Sequence, residues 1–149
     1  MKKNLIFFLF FCFILNAHSE DTEWVDLGKS ALGSWNIYVD KNSILKVDDM
    51  IFAAKTYQDF KVTQNGIDLY DSDGKRRYIT ELKYRSSRSV YLYDCQKKMI
   101  GLIETRYFSK DKPNQKDLVL KNEIKDPIWT KFIIEKKFFD YVCNSVKNR

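Results

Sequence analysis

"SVYLYDCQKKMIGLIETRYFS", Ser89–Ser109, reads as two strands joined by a short basic turn at Lys97 and Lys98. Side chains alternate along a strand, so Tyr91, Tyr93 and Cys95 share one face and Val90 and Leu92 the other. Both faces are partly apolar. That places the hairpin centrally in a sheet, with another element covering the cysteine face.

The flanking sequence supplies the rest of the sheet. "WNIYVD", Trp35–Asp40, alternates, and Asp40–Ser43 breaks it. "MIFAAKTYQDFKVT", Met50–Thr63, can hold one long strand. Asn65-Gly66 then predicts a hairpin turn, with Ile67–Tyr70 as the return strand and Asp71–Gly74 as a second turn. In "RRYITELKY", Arg76–Tyr84, Tyr78, Leu82 and Tyr84 alternate with Arg77, Glu81, Lys83 and the following Arg85, the pattern of a half-buried strand. "SKDKPNQKD", Ser109–Asp117, predicts a mobile polar loop.

A C-terminal helix provides the cover. Asp126-Pro127 has the form of an N-cap and first helical residue, though Ile128–Ile134 can also be extended, which would start the helix later. Phe132, Phe139, Val142, Cys143 and Val146 fall on one helical stripe. The fold class is therefore α+β, an antiparallel sheet with one helix across a face.

The N-terminus reads as a secretory signal over residues 1–19: Lys2 and Lys3, an apolar run from Leu5 to Leu15, and small residues Ala17 and Ser19 before a cleavage point after Ser19. The run is shorter than the roughly 20 apolar residues of a membrane span. Cys12 follows Phe10 and Phe11, a poor lipobox, and is lost with the signal on this reading. Residues 20–149 then form one domain with two cysteines, Cys95 and Cys143. In an oxidising compartment an even pair predicts a disulfide, worth roughly 4 kcal/mol at most for a loop of about 49 residues, the alternative being two free thiols.

Chemistry is scarce. The single histidine, His18, lies in the signal, so the mature chain has no histidine base or metal ligand, and a disulfide would remove its thiols as nucleophiles. Asp71, Asp73 and Gly74 fit a turn better than a calcium loop, and the five glycines form no phosphate-binding loop. The expectation is no enzyme, no metal and no cofactor. Without Lys2 and Lys3, 24 basic residues face 20 acidic ones, a mild excess that gives no reason to expect nucleic acid as a partner. An open sheet leaves a homodimer possible without specifying one.

The order of "WNIYVDKNSI", "MIFAAKTYQDF", "YRSSRSVYLYDC", Trp129 and "FFDYVC" resembles the surface-adhesin protein E family of Gram-negative bacteria. The resemblance implies about six antiparallel strands with the helix tethered by a disulfide to the concave face. It also implies an adhesin-like module at the periplasm or cell surface that binds host matrix or serum glycoproteins such as vitronectin and laminin. The family's binding region maps onto Lys83, Arg85, Arg88, Lys97, Lys98 and Arg106, which would act as a cationic patch on a hairpin face. The competing expectation is a periplasmic partner or inhibitor that docks onto another envelope protein.

Overall fold

A computed structural model describes residues 22–30, 33–70, 75–131 and 136–147. The expected signal segment, the Asp71–Gly74 turn and Phe132 lie outside the described residues. Seven strands form one antiparallel sheet: β1 (Trp24–Lys29), β2 (Trp35–Asp40), β3 (Leu45–Asp48), β4 (Ile51–Tyr70), β5 (Arg76–Asp94), β6 (Met99–Phe108) and β7 (Leu118–Thr130). Their order is β1-β2-β4-β5-β6-β7. β3 continues the line of β2 along the same edge of β4, after a single 3-10 turn at Lys41–Ser43 whose Asn42 amide donates to the Asp40 carboxylate.

The Ser89–Ser109 hairpin is central, as its two-sided apolarity requires. Tyr91 pairs with Leu102 and Asp94 with Met99. Asp94 builds the turn by accepting from the Gln96 and Lys97 amides at 3.1 and 2.7 Å, and Lys98 takes a left-handed φ of 55°.

The helix α1 (Lys136–Lys147) lies across one face. Phe138, Phe139, Val142 and Cys143 pack on Ile37, Val39, Phe52, Ala54 and Tyr93 to make the main core. Cys95 and Cys143 are joined, with Cα atoms 5.7 Å apart. The opposite face holds only a small cluster of Ala53, Leu92 and Ile103.

Four expectations need correcting. Asn65-Gly66 does not turn the chain: β4 runs through it to Tyr70, and Asn65-Gly66 sits at a register shift against β5. Gly66 has φ 74°, and the Tyr78 ring lies where a Cβ would stand. A bulge and a hairpin turn both recruit a left-handed glycine, so the local signal is the same for each. Asp126-Pro127 belongs to β7, where proline is tolerated because β7 is an edge strand, and the helix is described only from Lys136. The Ser109–Asp117 loop is tied down: Asn114 and Asp117 form a reciprocal cap, and Ser86 Oγ donates to the Lys110 carbonyl at 2.5 Å. The Arg76–Tyr84 strand forms but is not half-buried: Arg76–Glu81 are all exposed, Tyr78 at 61%, because that stretch of β5 pairs only with β4 among the described residues.

Candidate functional site

The expected basic residues do not form one patch. Lys83 and Arg85 lie on the far half of β5, beyond its last pairing with β6 at Ser86↔Phe108. Lys97 and Lys98 occupy the turn at the opposite end of the same strand. Lys83 and Asp94, eleven residues apart, are separated by about 36 Å along an extended strand.

Arg88 and Arg106 are direct cross-strand partners in between. Arg88 is clamped on the face away from the helix: its guanidinium lies 5.9 Å from the Tyr57 ring centre and 5.3 Å from Phe108, and it donates to the Pro113 carbonyl at 3.1 Å. Burial lowers its pKa, with Tyr57 opposing and Arg106 adding to the shift. The same burial, with Asp59 nearby, pushes the Tyr57 phenol up to about 12. Arg106 is held by buried Glu104 at 2.6 Å, and Lys121 reaches the other carboxylate oxygen at 3.4 Å. Arg88 and Arg106 therefore tie strands and loop together. Lys97 salt-bridges Asp94 at 3.7 Å and stays largely exposed.

Beyond Phe60 and before Ser86, β4 and β5 continue as a two-stranded ribbon, Lys61–Tyr70 against Arg76–Arg85. Neither outer edge has a sheet partner among the described residues. A register shift between Asp59 and Gln64 leaves extra residues in β4 at the ribbon's base. Val62 and Tyr78 are 64% and 61% exposed. Lys75, Arg76, Arg77 and Lys83 bring the ribbon's positive charge.

Between the ribbon and α1, the helix side of the sheet is open as a groove of about 610 Å³. Four aromatic rings cross its upper end, one per strand: Trp35 to Phe60 at 5.5 Å, Phe60 to Tyr84 at 5.3 Å and Tyr84 to Tyr107 at 4.9 Å. Below them lie hydroxyl and amide groups. Ser87 Oγ donates to Gln58 Oε1 at 3.3 Å, and Ser89 and Thr105 share a hydroxyl–hydroxyl bond of 3.0 Å. Sequence reading missed this groove. Its signal was the same-face series Ser87, Ser89, Tyr91, Tyr93, polar at one end and aromatic at the other.

The family model for Surface-adhesin protein E matches residues 24–144. The chain belongs to that family. The match runs from the first residue of β1 past Cys143, so it takes in the ribbon, the groove and the staple of this adhesin E-family chain. Crystal structures of Haemophilus influenzae protein E are similar at low identity. One crystal form shares 14% identity over 85% of this chain and 91% of that one, with a TM-score of 0.48. A selenomethionine form shares 13% over 87% and 90%, also at 0.48. A structure from a non-typeable strain shares 14% over 88% and 82%, at 0.47. No curated protein sequence matches the chain. No helix among the described residues is long and apolar enough to cross a membrane, and none of their His, Cys, Asp and Glu side chains cluster as a metal site would.

Proposed function

We propose that this chain is an exported binding module of the adhesin type, engaging acidic surfaces of host matrix or serum glycoproteins through the β4–β5 ribbon. The observation that carries this is the ribbon itself: two strands clear of the sheet, rich in Lys and Arg, with Val62 and Tyr78 exposed beside the charges. Such an element offers long-range attraction from its cations and a desolvated contact from its apolar side chains. Family membership supports binding rather than catalysis. On this reading residues 1–19 are removed after Ser19, which N-terminal sequencing of exported protein checks.

The test is binding of purified protein to immobilised vitronectin and laminin at two salt concentrations. Exposed charges act over about 8 to 10 Å at physiological ionic strength, so binding should fall as salt rises. The double variant Lys75→Glu with Lys83→Glu should weaken it, and Lys97→Glu with Lys98→Glu should do so less. Unchanged affinity in the ribbon variant would overturn the proposal.

The Phe10-Phe11-Cys12 sequence favours a second reading, since it is a poor site for a lipid that would hold the chain at the surface. That reading is a periplasmic protein docked on an envelope partner. Protease treatment of intact cells separates the two: digestion supports surface display, and protection until the outer membrane is opened supports the periplasm.

A further inference from the structure

We infer that the groove between α1 and the ribbon, whose lining takes in Gly66, Ile67, Tyr78 and Tyr84 of the ribbon itself, is a second binding site, and that it takes a short neutral oligosaccharide.

Charge is the first argument. The chain is 31% charged, yet no Asp, Glu, Lys, Arg or His lines the groove among the described residues. A charged ligand would be desolvated there without a counter-charge, which is costly. Shape and surface chemistry are the second. Four rings on four adjacent strands make a row about 15 Å long at the ordinary spacing between strands. Aromatic faces carry negative potential and attract weakly positive C–H groups. One face of a pyranose ring presents such C–H groups, while its rim presents hydroxyls. The groove offers both, with Ser87, Ser89, Thr105 and Gln58 below and, above them, four rings tilted to their neighbours by 49°, 89° and 70°, so that faces alternate with edges along the row.

Unmet hydrogen-bonding capacity is the third. Tyr93 also lines the groove, is 1% exposed, and its hydroxyl has no partner among the described residues. Trp35 Nε1, at the other end, is likewise enclosed and unpartnered. Buried polar groups are ordinarily satisfied by protein, water or ligand. Two such donors on residues that line one uncharged groove favour a polar, neutral occupant over an apolar one. In Ser87–Gln58 the amide nitrogen is left to donate elsewhere, and in Ser89–Thr105 one hydroxyl proton remains. The cavity volume lies within the range usual for small-ligand sites.

Titration calorimetry of the full mature protein tests this with triacetylchitotriose and maltotriose as neutral probes and a heparin hexasaccharide as the anionic control. At least one neutral probe should saturate, and the heparin fragment should not compete with it. Tyr107→Leu and Tyr84→Leu keep apolar volume but lose the ring face, and each should weaken binding roughly tenfold, about 1.4 kcal/mol. Tyr107→Phe keeps the face and should restore most of it, which a purely structural role would not require. Lys75→Glu, at the far end of the ribbon from Tyr84, should leave saccharide affinity within about twofold while altering the ribbon's own binding. Failure of both neutral probes to saturate, competition by the heparin fragment, or wild-type affinity in the Leu variants would each overturn the inference.

Discussion

The two halves of the long β4–β5 hairpin are made of similar residues and have opposite fates. The half from Ile51 to Phe60 and Ser86 to Asp94 has neighbours on both edges and carries α1, so its side chains are mostly buried. The half from Lys61 to Tyr70 and Arg76 to Arg85 has only its own partner strand, and most of its side chains face solvent. An isolated two-stranded ribbon has little stability of its own. Here it is anchored by the sheet at its base and by the aromatic row that closes the groove. The difference shows that strand length and strand stability are separate properties: backbone pairing extends the ribbon, but burial stabilises mainly the covered half, Ile67 being the one large side chain among the ribbon's described residues that is fully enclosed.

Breaking the staple tests the covered half most severely. Cys143→Ser should cost about 2 to 5 kcal/mol, because the unfolded chain regains the freedom of a long loop. Thermal unfolding with and without reductant should reproduce that loss in the wild type. Coincident midpoints would mean that the helix holds without its bond.

Matched valines sharpen the contrast. Val142 on α1 is fully enclosed, and Val142→Ala should destabilise by about 2 kcal/mol. Val62→Ala on the ribbon should change stability by less than about 0.5 kcal/mol. Denaturant titration of both variants measures the difference, and equal effects would remove the distinction between the halves.

A third substitution acts within the ribbon alone. Gly66→Ala puts a methyl group at positive φ against the Tyr78 ring, which should cost about 1 to 2 kcal/mol of local structure. Hydrogen exchange should accelerate at Gln64–Tyr70 and Arg76–Tyr84 while the global midpoint moves little. A large midpoint shift would show that ribbon and sheet unfold together.

The smallest expected effect lies in the loop that braces Ser86 and Arg88. The Asn114 amide, then Lys110, holds the Asp117 carboxyl below its ordinary range. A lowered folded pKa contributes stability above the unfolded value near 3.9, lost as pH falls through the folded one. Asp117→Asn should therefore flatten the acid side of the stability profile between those two values. An unchanged profile would show that the loop is indifferent to that charge.

The parts of this fold legible in sequence are those written in short periods. The central hairpin and the apolar stripe of the helix repeat every two or about 3.6 residues, and each is where it was expected; the Arg76–Tyr84 strand is also there, but exposed on both faces because only its partner strand accompanies it. The cysteine pair was legible from its number and from the expectation of export. Asn65-Gly66 misled because a bulge uses the same dipeptide as a turn. Asp126-Pro127 misled because an edge strand and a helix start both accept proline.

The candidate site divides in the same way. Composition alone made the chain mildly basic and left it a single histidine, and the residue pattern carried its family, with which the expectation of binding came. Which cations stand free was decided by tertiary structure: Arg88 is spent on Tyr57, Phe108 and Pro113, and Arg106 on Glu104, because neighbouring strands bring those partners within reach. The groove is wholly tertiary. Trp35, Phe60, Tyr84 and Tyr107 are far apart in sequence, and only the pairing of four strands sets their rings in one row. Sequence fixes which face each side chain takes along its own strand. Register between strands, set by bulges and by the helix lying across them, decides which side chains meet.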